Sequence, residues 1–210
     1  MKNKRLIAIG DIHGEINNLE NLLAELSIKR GDTVIFLGDY IDRGKNSKEV
    51  VETLIKLSKK SNCIFLKGNH EQMLIEAFEK RQNNDIENWL LAGGISTVES
   101  YGGFENIFKL HGDFYKKLIS YYITPEFLFV HAGIKPEYPV EKQKEDDLFW
   151  IRDEFIYAKI NLPQRIIFGH TPFYEPLILP DKIGIDTGLG KIKGAKLTAF
   201  ICTDKSFISI

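Results

Sequence analysis

Seven residues, Gly38-Asp39-Tyr40-Ile41-Asp42-Arg43-Gly44, place two carboxylates and a guanidinium directly after the apolar run Thr33-Val34-Ile35-Phe36-Leu37. Carboxylates hold hard cations, and a guanidinium offers paired N–H donors that match phosphate, so the loop is suited to metal-assisted chemistry on an oxyanion. Asp39 is the candidate metal bridge. Donors of the same kind recur in four further short runs. Asp11 and His13 lie in Gly10-Asp11-Ile12-His13-Gly14, Asn69 in Gly68-Asn69-His70-Glu71, His131 in His131-Ala132-Gly133, and His170 in Gly169-His170-Thr171-Pro172. Oxygen and imidazole donors in this mixture suit Mn²⁺, Fe or Zn²⁺, and the absence of thiolates argues against a structural zinc knot. Six donors suffice for two ions that share one carboxylate. Such a pair, roughly 3.5–4 Å apart, acidifies a bridging water and clamps phosphoryl oxygens for in-line attack.

Each donor follows a run that reads as a strand. Arg5–Ile9 precedes Asp11, residues 33–37 precede Asp39, Cys63–Leu66 precedes Asn69, Phe127–Val130 precedes His131, and Arg165–Phe168 precedes His170. Apart from Arg5 and Arg165, which open the first and last, these runs are uncharged and mostly apolar, with β-branched or aromatic residues in each, as strands buried on both faces are. Between the first two, Ile16, Leu19, Leu22, Leu23 and Leu26 recur at helical spacing, and Val50, Val51, Leu54, Ile55 and Leu57 do so between the second and third. Asp11, Asp39 and Asn69 are 28 and 30 residues apart, about one strand-helix-strand crossover each, so all three line one edge of one sheet. Ligand sites of open α/β sheets lie at such strand ends. Residues 71–121 read as mainly helical, punctuated by Gly93-Gly94 and Gly102-Gly103, and fit a cap over the site and plain packing equally. The remainder, Leu177–Leu179, Ile183–Ile185, Leu197–Cys202 and Phe207–Ile210, reads as short strands and implies a second sheet packed on the first.

The 210 residues, 43% hydrophobic and 27% charged, predict one compact domain spanning 1–210. A formal net charge of −1 excludes a global field that would gather nucleic acid or an anionic membrane surface. The basic start, Met1-Lys2-Asn3-Lys4-Arg5, precedes an apolar run too short for a signal peptide, and no run is long enough to span a bilayer. Cys63 and Cys202 read as buried thiols, which implies a reducing cytoplasm. Single residues also have plain readings. A lone histidine such as His13 is usually a hydrogen-bonded structural residue, and a lone Asn after a strand a turn residue, but five strand-end repetitions do not arise that way. His111, with no strand before it, is left out. Arg152, beside Asp153 and Glu154, competes with a surface ion pair. Asp186 reads equally as a turn residue and as a partner to ligands, Lys191, Lys193 and Lys196 as a solvated loop, and Glu141–Asp147 as an exposed connection.

In order, the five motifs resemble the signature of the phosphoprotein-phosphatase family of metallophosphoesterases, closest to its small bacterial and phage serine/threonine protein phosphatases. Trp89-Leu90-Leu91, Trp150-Ile151-Arg152 and Ile185-Asp186-Thr187-Gly188 extend the likeness over nearly the whole chain. The resemblance implies an α/β metallophosphoesterase (calcineurin-like) fold, two mixed sheets packed as a sandwich between helices. It also implies two divalent cations, Mn²⁺ first, with Asp11 and His13 on one, Asn69, His131 and His170 on the other, and Asp39 on both. Arg43, Arg152 and Asn69 bind the substrate phosphate, His70 protonates the leaving alkoxide, and Asp42 orients His70.

The expected activity is metal-dependent hydrolysis of phosphomonoesters, foremost phosphoserine or phosphothreonine in proteins, by a metal-bridging hydroxide that attacks phosphorus directly. No Cys or Ser in the constellation offers an activated nucleophile. The rival enzyme reading is symmetrical bis(5'-nucleosyl)-tetraphosphate hydrolysis or another small phosphoester. Against the symmetrical branch stand Asp42, where that branch typically has Ala, and Glu71, where its third motif ends in Asp. A catalytically silent binding scaffold would have lost ligands, and none is missing. Oligomeric state is not set by the sequence.

Overall fold

The computed structural model describes residues 4–210, so Met1-Lys2-Asn3 of the basic start lie outside it. Ten strands form two five-stranded sheets. The first contains β1 (Leu6–Ile9), β2 (Thr33–Phe36), β3 (Asn62–Phe65), β9 (Thr198–Ile201) and β10 (Ser206–Ser209), in the order β10-β9-β1-β2-β3. The second contains β4 (Tyr121–Ile123), β5 (Phe127–Val130), β6 (Arg165–Phe168), β7 (Leu177–Ile178) and β8 (Lys182–Gly184), in the order β4-β5-β6-β8-β7. In each sheet the strands carrying the motifs run parallel, β1-β2-β3 and β5-β6-β8, and antiparallel strands close the remaining positions. Parallel neighbours point their carboxyl ends the same way, and this gathers the donors that follow them.

The apolar runs are dense because each strand feeds two cores. On β1, Ile7 and Ile9 pack under the helices while Ala8 faces the second sheet; on β2, Val34 and Phe36 face the helices and Ile35 the other sheet. The second sheet repeats the pattern with Leu128 and Val130 outward and Phe127 and Phe129 inward. Period-two alternation thus produces three apolar layers in a helix-sheet-sheet-helix stack. Each fully buried side chain of this kind contributes about 1.5–3 kcal/mol relative to exposure. The strand ends are therefore a stiff platform.

Helix α1 (Ile16–Leu26) and α2 (Ser47–Ser58) are the two crossover helices expected from their leucine and valine spacing. Residues 69–115 are helical except at Arg81-Gln82 and Gly102-Gly103, as α3 (Asn69–Lys80), α4 (Asn83–Trp89), a π-helical turn (Leu90–Gly94), α5 (Ile95–Tyr101) and α6 (Phe104–Tyr115). His111 sits inside α6 at a kink, with φ −129° and ψ 19°, and its Nδ1 pairs with the Tyr101 hydroxyl at 2.8 Å. The stretch 141–147 is not a plain connection: a 3-10 turn at Val140–Lys142 buries Val140, and Glu145–Asp147 open α7 (Glu145–Trp150), followed by α8 (Asp153–Ile156). Cys202 is buried but Cys63 is only partly so, because β3 is the edge strand of its sheet. No helix among the described residues is long and apolar enough to cross a membrane.

Candidate active site

All five motifs converge at the strand ends, and Asp11, His13, Asp39, Asp42, Asn69, His70, His131 and His170 are all buried there. Burying so many polar side chains is costly unless each is paired or shared with a cation. The loops achieve it in unusual conformations. His13, Asp39, Asp42, Arg43 and His170 all have φ between 45° and 71°, the left-handed region that non-glycine residues rarely adopt. Only one glycine need be singled out on this side: at Gly38, φ 102°, a Cβ would lie 2.6 Å from Gly68 N and 3.0 Å from His131 Nδ1. The loops of both sheets touch there.

Asp39 is the centre. Its Oδ2 faces His13 Nε2 at 3.5 Å and His70 Nε2 at 4.0 Å, while its Oδ1 faces His131 Nε2 at 3.4 Å. The carboxylate therefore addresses two separate donor groups, His13-Asp39-His70 and Asp39-His131-His170. Oδ1 also accepts the backbone N–H of His70 at 3.2 Å, at the amino end of α3, where helix amides favour negative charge. Although burial opposes ionisation, the histidines around Asp39, His131 first, hold its pKa well below the ordinary value.

The imidazoles are set as cation acceptors. His131 Nδ1 donates to Leu37 O at 2.8 Å and His13 Nδ1 to Ile41 O at 3.0 Å, so both Nε2 atoms carry lone pairs. His131 Nε2 then faces Asn69 Oδ1 at 3.0 Å, and the same oxygen lies 2.9 Å from His170 Nδ1. A bare imidazole nitrogen, an amide oxygen and a carboxylate oxygen have no reason to converge except around a cation. Asp39 Oδ2 and His170 Nε2 are moreover buried without any hydrogen-bond partner. The residues fit a bound divalent pair. Burial lowers the pKa of His13 well below its usual value, and burial with His131 nearby takes His170 to about 2, so both imidazoles are neutral at pH 7, the form that can accept a cation.

Around this centre lie the groups that can handle a phosphate and a proton. Arg43 directs Nη1 to His13 Nε2 at 3.3 Å and Nη2 to His70 Nε2 at 3.1 Å. Arg152 lies across the site, at the amino end of α8, with Nη1 3.3 Å from His170 O. His70 Nδ1 donates to Asp42 Oδ2 at 2.7 Å. Burial alone would lower the pKa of His70, but Asp39 and this hydrogen bond raise it above the ordinary value. Every sequence-predicted site residue is thus in one place, with Arg43 and Arg152 the two exposed ones.

Three groups were not anticipated as parts of the site. The helical cover supplies Trp89 and Thr97: Trp89 Nε1 donates to Asp42 Oδ2 at 2.9 Å and Thr97 Oγ1 to Oδ1 at 2.6 Å, while Gly93 O accepts from Arg43 N at 3.1 Å. Gly93, φ 124°, must lack a side chain because its Cβ would meet Arg43 Cγ at 2.8 Å. Glu71 is fully buried and accepts from the backbone of Asp39, Tyr40 and Gly68 at 2.8–3.0 Å, clamping the two loops together. Burial, then Asp39, pushes its pKa up to about 8. Lys191, expected in a solvated loop, instead enters the site, with Nζ 2.8 Å from Asp11 Oδ2 and 2.6 Å from Asp186 Oδ2. The sequence signals were the tryptophan and the paired glycines of the cover, and a lysine within a glycine-bounded turn.

Residues 4–204 match the calcineurin-like phosphoesterase family. The asymmetrical bis(5'-nucleosyl)-tetraphosphatase PrpE of Oceanobacillus iheyensis is 28% identical over 96% of this chain and 90% of its own length. Serine/threonine-protein phosphatase 2 of Escherichia coli K12 is 30% identical over 88% of each chain. A solved serine/threonine phosphatase of Saccharomyces cerevisiae shares the fold with a TM-score of 0.68 at 16% identity, covering 95% of this chain and 73% of its own. The dinucleoside-cleaving relative is of the asymmetrical kind, not the symmetrical kind that the sequence reading weighed.

Proposed function

The chain belongs to the calcineurin-like phosphoesterase family and is a metallophosphoesterase, and from that footing we propose that it is a serine/threonine protein phosphatase working with two Mn²⁺ ions in the cytoplasm. The observation that carries the metal assignment is Asp39, whose two oxygens each face a different donor group. Asp39, Asn69, His131 and His170 would hold one ion, and Asp11, His13 and Asp39 the other. When bound, the pair supplies Lewis acidity that makes a water nucleophilic at neutral pH and offsets phosphoryl charge.

The chain's own residues do the rest. Arg43 and Arg152 approach from opposite walls and hold phosphate oxygens by paired N–H donors, aligning phosphorus with the attacking water. His70, whose pKa Asp39 and Asp42 raise, gives an Nε2 proton to the departing serine or threonine oxygen once Arg43 has turned from that nitrogen to the phosphate. Asp42 cannot turn away, because Trp89 and Thr97 occupy both its oxygens. No covalent intermediate is required.

A second reading, asymmetrical cleavage of dinucleoside tetraphosphates, is favoured by the likeness to the Oceanobacillus iheyensis enzyme and by the half-exposed Trp150 ring beside His170, 6.1 Å between centroids, a face on which a base can stack. Hydrolysis of phosphoserine and phosphothreonine peptides, nucleotides and dinucleoside tetraphosphates in the presence of Mn²⁺ separates the two. The proposal expects the highest kcat/KM on the peptides. A tenfold or greater preference for the tetraphosphate, with one nucleoside monophosphate and one nucleoside triphosphate as products, transfers the assignment to the second reading.

A further inference from the structure

Among the proposed carboxylate and imidazole ligands, Asp11 alone lies outside the two converging donor groups. Its Oδ2 lies 3.9 Å from His13 Nε2, and that same oxygen is 2.8 Å from Lys191 Nζ. The ammonium has three N–H donors and all are used, by Asp11 Oδ2, by Asp186 Oδ2 at 2.6 Å and by His170 O at 3.2 Å. The loop that delivers it is fixed. Gly188 N donates to Asp186 Oδ1, Lys191 N and Ile192 N both donate to Gly188 O, and Gly190, φ 71°, packs so closely on His13 that a Cβ would meet the histidine Cβ at 2.6 Å. Only 13% of the lysine side chain is exposed. Burial alone would lower its pKa, but Asp11 and Asp186 hold the ammonium above its ordinary range, while Lys191 in turn keeps Asp11, against burial, at about 2.

A fixed cation on the Asp11 carboxylate competes with a divalent ion for that oxygen and repels it, and in a buried setting neither effect is screened away. The Asn69-His131-His170 side has no such competitor. The structure assigns Lys191 as a built-in counter-cation that makes the Asp11–His13 metal position the weaker of the two, filled last and only at higher free metal concentration. The inference rests on the two-metal reading above. It goes beyond that reading in stating an order of filling and the residue that sets it. Lys191 acts through Asp11 and is a positioning residue.

Binding of Mn²⁺ to metal-stripped protein, followed by isothermal titration against a competing chelator, tests it without reference to activity. Wild type is expected to bind two ions with unequal affinity. Lys191→Met and Lys191→Gln should tighten the weaker site at least about tenfold and leave the tighter one within about threefold. Lys191→Arg, which keeps the charge, should resemble wild type. Melting temperatures of the stripped variants check folding, and two neutral replacements of different polarity guard against one failing to fold. Unchanged or weakened second-site binding in both neutral variants overturns the inference while leaving the two-metal reading intact. Absence of any tight Mn²⁺ binding in wild type overturns both.

Discussion

The two sides of Asp39 are built to opposite designs. Toward Oδ1 lie Asn69, His131 and His170, lone-pair donors held by backbone carbonyls and by one another, and the cations that reach this side, Arg152 and Lys191, meet the His170 carbonyl rather than a donor atom. Toward Oδ2 lie Asp11, His13 and His70, and here the protein inserts cations of its own, Arg43 against both imidazoles and Lys191 against the carboxylate. One side is a cradle for an ion, the other a place where phosphate, proton and ion share the same few ångströms. The difference teaches that the two proposed sites are unequal twice over: one has four candidate ligands and the other three, and the protein's own cations are set against the poorer one, the side on which the proposed leaving-group chemistry lies.

The largest effect expected from breaking this arrangement comes from the residue common to both sides. Asp39→Asn removes the only carboxylate shared by the two groups and should lower kcat/KM by about 10³-fold or more, roughly 4 kcal/mol, with loss of bound metal by elemental analysis. Two tightly held ions and near-normal turnover in that variant would remove Asp39 from the centre. Next is the proton side. A serine alkoxide needs an acid and an aryl oxide does not, so His70→Asn should cost ~10²–10⁴-fold on phosphoserine peptide and far less on p-nitrophenyl phosphate, with metal content retained. Equal losses on both substrates would make His70 a phosphate or structural residue.

The comparison is sharpened by matched ligand changes. His131→Asn should weaken the tighter Mn²⁺ site by about 10–100-fold, whereas His13→Asn should affect only the weaker one, as read by titration of each stripped variant. Identical binding curves for the two would erase the distinction between the sides. The smallest effect belongs to the cover. Trp89→Phe deletes one hydrogen bond to Asp42 and Thr97→Val two, since Thr97 Oγ1 donates to Oδ1 and accepts from Asp42 N; with a bond to a carboxylate worth about 1.5–3 kcal/mol, both should lower phosphoserine turnover roughly fivefold or more while sparing p-nitrophenyl phosphate. A uniform loss on both substrates would mean that these residues only support packing.

Sequence reading located the donors because each is next to its strand in the chain: Asp11 after β1, Asp39 after β2, Asn69 after β3, His131 after β5 and His170 after β6. Alternating burial on both faces of those strands produced runs apolar enough to mark their ends. Lys191 escaped because its partner Asp11 is 180 residues away, and nothing local distinguishes a lysine in a glycine-rich turn that reaches inward from one in solvent. Trp89 and Thr97 read as helix residues, and their bonds to Asp42 span 47 and 55 residues. Helices α7 and α8, of six and four residues, are too short to carry a period.

The account stands most directly on the number of ions that hydrolysis requires. Metal-stripped protein titrated with Mn²⁺, with bound metal and initial rate on a phosphoserine peptide measured at each step, should show little hydrolysis up to one ion per chain and a rise only as the second binds. Full activity at one ion per chain, or none at two, would contradict it.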